Sequence, residues 1–144
     1  MTADFAAQIA IGLSEGRALA ESLMTATCRV LRKTGPSEQD ETSGAEVAVY
    51  EVLFESKCKI QLTDSVLDGV DAGGRQVVVY RVRIDLPVSS PQVAQYDVAE
   101  ILTNPADTRV VGLTYLIQAP MNKTYATATR LQAESARIPM VVSE

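Results

Sequence analysis

The feature that most constrains the fold is a run of strict alternation over residues 78–88. One set of positions is apolar throughout, and the other contains Arg81, Arg83 and Asp85. The apolar set is Val78, Tyr80, Val82, Ile84, Leu86 and Val88. Because successive side chains of a strand point to opposite faces, six matches to a period of two predict a half-buried antiparallel strand.

A stiff corner follows this strand. Pro87 and Pro91 cannot donate a backbone hydrogen bond to a sheet, and Ser89 and Ser90 favour turns. The chain then resumes an apolar pattern over residues 96–102. A long strand, a corner and a short strand predict a sheet that folds over to close a barrel or a sandwich.

Period-two alternation also predicts the remaining strands, and the run 58–62 is expected to continue the run 47–54 through a bend. They are residues 26–31, 47–54, 58–62, 110–117 with an interruption at Gly112, and 125–131, with a break at 119–122. The polar segments 34–45 and 63–75 predict two long loops. The predicted fold is mainly β: a small antiparallel β-barrel or sandwich with an N-terminal α-helix and long acidic loops.

Residues 3–24 predict a helix with one apolar stripe, which needs a partner surface because it is short and only partly apolar. Gly12 and Gly16 each cost about 1 kcal/mol in a helix. They indicate either a break near Ser14 or a face that another backbone approaches. The predicted organisation is a helical arm (1–25), a barrel domain (26–134) and a C-terminal tail (135–144). The residues expected to pack the helix are Phe5, Ile9, Leu13 and Leu23.

The length of 144 residues suits one domain with a single core, and the net charge of −5 argues against an independent nucleic-acid binder. The sequence contains no membrane span and no signal peptide, so we expect assembly in the cytoplasm. In that reducing setting, Cys28 and Cys58 are interpreted as two small buried hydrophobes, although neighbouring strands would allow a disulfide.

The sequence offers little catalytic chemistry. It has no histidine, which removes the commonest general base and metal ligand. It has no phosphate-binding loop, and Asp64, Asp68 and Asp71 miss the spacing of an EF-hand. We therefore expect no enzyme, no metal site and no cofactor.

The order of several segments resembles the head-to-tail stopper, or head-closure, proteins of siphophages that infect actinobacteria. The segments are GRALAESLMTATCRVLRKTG (16–35), KCKIQL (57–62), VVVYRVRIDLPVSSPQV (77–93), YDVAEI (96–101), RVVGLTYLIQ (109–118) and KTYATATRLQAE (123–134). The resemblance covers nearly the whole chain. In such proteins a Gly-Asp pair commonly follows the LPVS corner, whereas this sequence has Tyr96-Asp97.

The resemblance implies a small β-barrel that forms a homo-oligomeric ring, of six or twelve copies, at the head-tail junction of the virion. The ring would meet the portal and adaptor on one side and the tail terminator or tail tube on the other. It would retain packaged DNA without gripping it. The runner-up is a tail terminator ring, and from another class a cytosolic ligand-binding barrel.

Two sets of residues are candidates within such a ring. Loop 63–75 is hypothesised to face the channel as a gate, and the alternatives are a solvated surface loop or the same role for loop 34–45. Its candidate residues are Asp64, Asp68, Asp71, Gly73 and Gly74. The tail residues Ile138, Met140 and Val141 are expected either to dock on a neighbouring subunit or the tail, or to pack on their own barrel.

Overall fold

The computed structural model describes residues 2–34, 38–39, 46–70, 72–121, 124, 126–138 and 140–143. One helix, α1 (Thr2–Ser22), precedes eight strands. The strands are β1 (Ala26–Lys33), β2 (Glu38–Gln39), β3 (Glu46–Val70), β4 (Gln76–Leu86), β5 (Val98–Thr103), β6 (Thr114–Met121), β7 (Thr129–Ser135) and β8 (Met140–Ser143). A short 3₁₀ turn, Thr108–Val110, lies between β5 and β6.

Six antiparallel strands close into a barrel. Their order is β1-β5-β6-β7-β4-β3, and β3 pairs again with β1, so the circle has no open edge. The short strand β2 and the C-terminal β8 are added to β3 outside this circle. The prediction of a mainly β fold with an N-terminal helix is confirmed, and of its two forms the barrel is the observed one.

The proline corner closes one end of this barrel. In the circle of six, β4 and β5 lie three places apart in either direction, so the segment 87–97 that joins them must cross the barrel end. Pro87 and Val93 are buried, and Val93 belongs to the core. The Ser90 N–H donates to the Pro87 carbonyl oxygen at 2.9 Å and holds the turn. The corner therefore works as a lid over the core.

Side chains fill the barrel interior. The main cluster draws on all six barrel strands and on the corner, and it includes Cys28, Val30, Cys58, Ile84, Leu86, Ile101, Ile117 and Leu131, each fully buried. A second cluster contains Leu31 of β1, Tyr50 of β3 and Val98 of β5, and residues of β8 pack against it. The barrel is thus a packed core and not a pore.

The strand predicted over residues 110–117 begins later than expected. Val110 ends the 3₁₀ turn, and Gly112 has a φ of 84°, which a residue with a side chain disfavours. The expected break near Pro120 is also wrong, because β6 continues to Met121. β5 pairs only with residues 114–116 of β6, so Pro120 lies where one edge is free and its missing N–H breaks no ladder on that side.

The prediction that residues 63–75 form a loop is wrong for most of the segment. β3 runs on to Val70, as one strand with the runs 47–54 and 58–62, and it pairs with β4 as far as Val70 opposite Gln76. Apolar residues on β4 stand opposite Val66 and Leu67, which favours pairing in spite of the nearby aspartates. Only residues 71–75 are left to connect the strands. Most of the other predicted loop, 35–37 and 40–45, lies outside the described residues.

The helix α1 is unbroken across both of its glycines. At Gly16 an added Cβ would lie 3.0 Å from Cγ2 of Thr127, so a close approach explains this glycine. Gly12 has nothing within 4 Å of the same position. Of the two alternatives for the glycines, a helix break is wrong, and the approach found at Gly16 is that of the Thr127 side chain and not of the backbone that was expected. The division into arm, barrel and tail stays a prediction.

Among the described residues, no helix combines the length and apolar content needed to cross a bilayer.

Candidate functional site

A two-stranded ribbon projects from the barrel. It consists of residues 62–70 of β3 and 76–82 of β4, with the turn between them. β3 leaves its pairing with β1 at Cys58, and β4 pairs with β7 only from Arg81 onward. Beyond these points the described residues of β3 and β4 pair in the sheet only with each other, and at the ribbon base the Tyr80 N–H donates to Ser135 Oγ of β7 at 2.9 Å. A long antiparallel pair without a covering layer is marginal by itself, which makes the ribbon a candidate for contact with another molecule.

The inner face of the ribbon continues the buried face of the barrel strands. Leu62 stands opposite Val82, which is buried, and the even-numbered positions of β4 share this face. No described side chain on the face is charged. Its large apolar residues remain exposed: Leu62 63%, Leu67 60%, Val70 66%, Val78 40% and Tyr80 48%. Such a contiguous exposed patch is typical of an interaction surface.

The outer face of the ribbon carries charge at its base. Arg81 Nη1 lies 3.5 Å from Asp64 Oδ2, and Arg81 Nε lies 3.5 Å from Glu134 Oε1. All three side chains are at least a third exposed, so these ion pairs contribute little to stability. They make the two faces of the ribbon chemically different.

The predicted gating residues are spread along the ribbon. Asp64 is at its base, paired with Arg81, whereas Gly73 and Gly74 are exposed in the turn at its tip. Gly74 has a φ of 80°, which suits a tight turn without a Cβ. Asp71 and the side chain of Asp68 lie outside the described residues. The gating role itself stays a prediction.

The predicted helix-packing residues do not form a buried interface with the barrel. Phe5 is 67% exposed and Leu23 is 53% exposed, and Ile9 and Leu13 are half-buried. The helix is attached near its C-terminal end: Arg17 Nε donates to the Ala126 carbonyl oxygen at 3.1 Å. The Lys57 Nζ lies 3.0 Å from Glu21 Oε1 in the same region. The need for a partner surface stays a prediction.

The tail residues lie on the barrel of their own chain. β8 pairs in parallel with β3, with Met140 opposite Ala48 and Val141 opposite Val49. Ile138 and Met140 pack against the second cluster, and Val141 is 44% exposed. This is the second of the two arrangements that the sequence left open. A docking role for these residues stays a prediction.

A buried carboxylate that the sequence did not indicate, Asp97, lies beside the corner and pairs with a partly exposed arginine. Asp97 is 3% exposed, and Arg32 donates to it through Nε at 3.0 Å and Nη2 at 2.9 Å. This hydrogen bonding raises the pKa of Arg32 above its ordinary value. Asp97 also accepts from the Ala94 N–H at 2.8 Å, which closes the turn that leads into β5.

Tyr96 has a φ of 72° within this turn. That value lies in the left-handed region, where glycine has no steric cost. The turn thus has a backbone conformation that favours glycine at position 96, where this chain has tyrosine.

A second buried carboxylate, Asp85, lies on the outer face of β4. It is 6% exposed, and Arg83 Nε donates to it at 3.1 Å while Arg130 Nε lies at 4.0 Å. Residues 83 and 85 were predicted to face solvent. The guanidinium groups of the same strand and of β7 cover the carboxylate instead, because buried charges need partners.

The two cysteines are unbonded and fully buried in the main cluster. Cys28 stands opposite Ser56, two residues from Cys58 on β3, so both thiols point into the barrel. The hydrogen bond with Cys58, followed by burial, raises the pKa of Cys28. The same hydrogen bond lowers the pKa of Cys58. The full burial of both free thiols agrees with the interpretation of Cys28 and Cys58 as small hydrophobes.

Within the part of the chain that the structure describes, no three histidine, cysteine or acidic side chains are grouped in a way that would hold a metal ion.

A protein-family model described as a family of unknown function (DUF6093) matches residues 16–134, and the chain belongs to this family. The match begins in the part of α1 that touches the barrel and ends in the last barrel strand. Comparison with curated proteins gives no match.

Proposed function

We propose that this protein is a structural subunit of the virion of a tailed phage, assembled in the host cytoplasm. Identical copies form a ring at the head-tail junction, between the adaptor or portal and the tail. The ring closes the channel to retain packaged DNA and presents a docking surface to the tail. The resemblance of the ordered sequence segments to head-to-tail stoppers supports this role.

The observation that carries the proposal is the exposed apolar inner face of the ribbon. A protein that works alone in solution rarely exposes a contiguous patch of this kind, and here it stands on an element that projects from a packed barrel. A heterologous contact repeated between identical copies covers such a patch on every subunit and closes into a ring. The proposed function then depends on the shape of each subunit and on its position in the ring.

The charge of the chain suits contact with DNA that must later be released. A net charge of −5 gives no basic surface to replace phosphate counterions. The described basic residue at the ribbon base, Arg81, is already engaged by Asp64 and Glu134. A ribbon in the channel would therefore obstruct DNA by its bulk while adhering to it weakly.

A tail terminator ring is the second candidate, because the same assembly surfaces serve it equally. The neighbour that co-purifies distinguishes the two: a portal-side adaptor for a stopper, and a tail-tube protein for a terminator. A ligand-binding barrel is less well supported, since side chains of the main cluster occupy the interior.

Shortening the ribbon tests the proposed gate. Residues 66–79 are replaced by Asn-Gly, which joins Ser65 to its partner Tyr80 through a two-residue turn. Particles that carry this variant should lose packaged DNA before tail joining, as measured by nuclease sensitivity of the DNA, because the variant lacks the gate and most of the apolar face that is proposed to join the copies. Asp64→Asn, which removes charge and keeps the length, is the matched control and should retain DNA.

Normal DNA retention and normal tail joining with the shortened ribbon would remove the ribbon from the gate. Absence of the protein from purified particles would refute the virion role as a whole.

A further inference from the structure

We propose that Cys28 and Cys58 form an intramolecular disulfide when the folded chain meets a small disulfide oxidant, and that this bond ties β1 to β3 at the base of the ribbon. In the reduced chain both residues are buried hydrophobes. They thus make a modification site inside the packed barrel, and its chemistry does not depend on the ring assembly proposed above.

The two cysteines lie on paired strands and face the same interior. Cys28 of β1 stands opposite Ser56, and Cys58 of β3 stands opposite Ala26, so the cysteines are diagonal neighbours across the paired strands. Both are fully buried in the main cluster, and their thiols are hydrogen-bonded to each other. The chain contains two cysteines, so this pair is the one intramolecular disulfide that it can form.

Closure of the disulfide needs a small movement of the two strands. Diagonal neighbours in an antiparallel pair are further apart than residues directly opposite each other, and a disulfide needs Cα atoms within about 7 Å. β3 can supply the movement, because Cys58 is its last residue that pairs with β1, and residues 59–62 have no strand partner on that side. β1 is also irregular at this point, since its register with β5 shifts between Thr27 and Cys28.

A cavity gives an oxidant access to one of the two thiols. Cys58 and Val82 line a cavity of about 350 Å³ beside the unpaired edge of β3, whereas Cys28 does not line it. Leu23 and Leu62 line the same cavity and are more than half exposed, so the cavity opens to solvent. Cys58 is therefore the thiol that an oxidant reaches first.

The reaction is an exchange in two steps. The Cys58 thiolate attacks one sulfur of a small disulfide, forms a mixed disulfide and expels one small thiolate. Cys28 then loses its proton and attacks Sγ of Cys58, which forms the Cys28–Cys58 bond and expels the second small thiolate. Two protein thiols are oxidised, the small disulfide is reduced to two thiols, and these take up the two protons.

The hydrogen bond between the thiols supports this order of attack. It lowers the pKa of Cys58, which favours the reactive thiolate at the cavity. The same hydrogen bond, followed by burial and by the charge of Cys58, raises the pKa of Cys28. In the mixed disulfide Cys58 carries no charge, so this hold on the Cys28 proton is lost and Cys28 can attack.

The reduced and oxidised forms belong to different settings. Thiols stay reduced in the cytoplasm, and disulfides form and persist outside it. On the virion role proposed above, on which this timing rests, subunits assemble with free thiols and the bond forms after the particle leaves the host. It then holds β3 to β1 at the point where the ribbon leaves the barrel.

Incubation of the purified full chain with hydroxyethyl disulfide tests the site. The reaction is stopped with acid, and the protein is unfolded with an alkylating maleimide and weighed by mass spectrometry. The chain should take up no maleimide and should be lighter by two hydrogen atoms. After removal of the reagent, its Tm should be higher by roughly 5–10 °C and should return to the starting value on reduction.

The two single-cysteine variants are matched controls for the order of attack. In Cys28→Ala the accessible thiol remains without its partner, so this variant should accumulate the mixed disulfide at Cys58. In Cys58→Ala the remaining thiol does not line the cavity, so Cys28 should stay free under the same conditions. Equal modification of the two variants would overturn the assignment of Cys58 as the attacking thiol.

Three outcomes with the unchanged chain would overturn the proposal. The first is that both thiols still react with maleimide after the incubation. The second is a cross-linked chain whose Tm is unchanged or lower, because the bond would then not fit the folded barrel. The third is an oxidation rate that rises in low urea in step with the unfolded fraction, because the bond would then form in the unfolded chain. The ring is tested separately by the shortened ribbon.

Discussion

The turn before β5 offers a sharp test of the fold, because one residue there has an unfavourable backbone conformation. Among the described residues, Tyr96 is the one non-glycine residue with a positive φ, at 72°. A Cβ in the left-handed region costs about 1–2 kcal/mol. Glycine avoids that cost but loses about 0.5–1 kcal/mol of backbone entropy on folding relative to alanine. Tyr96→Gly should therefore be more stable than Tyr96→Ala by about 0.5–1 kcal/mol.

The comparison between glycine and alanine removes the tyrosine ring from the argument, since both variants lose the same contacts. Gln95 is the matched control, because it is exposed and lies in the same turn without a positive φ. At Gln95 the order should reverse, with alanine more stable than glycine by about 0.5–1 kcal/mol. The assay is urea unfolding at a shared m-value, together with thermal unfolding. At each of the two positions, the Tm of the glycine variant and the Tm of the alanine variant should differ by about 3 °C.

A Tyr96→Ala variant that is as stable as Tyr96→Gly, or more stable, would refute the reasoning, because the backbone at residue 96 would then not be held in the left-handed region.

Three further predictions concern stability. Asp97→Ala should cost about 1–3 kcal/mol in urea unfolding, because it removes a buried carboxylate that accepts from the Ala94 N–H and from Arg32. The exposed carboxylate Glu55 is the control, and its alanine variant should unfold near the unchanged midpoint; equal losses would contradict the role of burial. Truncation after Arg137 should cost about 2–4 kcal/mol, because it uncovers the second cluster, whereas Val141→Ser should be nearly neutral. A truncated chain as stable as the full one would show that β8 does not cover its barrel. Burial raises the pKa of Tyr115 above its ordinary value of 10, so the folded state keeps this proton when the unfolded state releases it. Stability should fall as the pH rises above 10, and the urea midpoint of Tyr115→Phe should fall less steeply there; parallel curves would contradict this.

The sequence predicted the strands well where one face is buried along the whole element. The strand at 78–88 illustrates the limit. Val82, Ile84 and Leu86 are buried as expected, whereas Val78 and Tyr80, in the same alternation, are 40% and 48% exposed. Periodicity assigns residues to a face, but it does not reveal where the barrel ends and the ribbon begins. The ribbon begins where β1 stops pairing with β3 and β7 stops pairing with β4.

Other features depended on partners distant in the sequence. Residues 63–70 have aspartates and a glycine that favour a loop, yet the apolar side chains of β4 opposite them favour a strand. The pairing of Arg32 with Asp97 joins residues 65 apart, and no local pattern indicates it. The sequence left open whether the tail packs on its own barrel or docks on a neighbour. The register of β8 on β3 shows that the tail lies on its own barrel in this chain.

β3 is one continuous strand of 25 residues that serves the barrel wall, the C-terminal strand and the ribbon. A pull on the ribbon along its axis is thus transmitted through the backbone of β3 to the hydrogen bonds that pair β3 with β1. Hydrogen bonds between antiparallel strands run perpendicular to the strands, so such a pull loads many of them in shear at the same time. A force on the ribbon tip is therefore shared by many hydrogen bonds between β3 and β1, and it does not break them one after another.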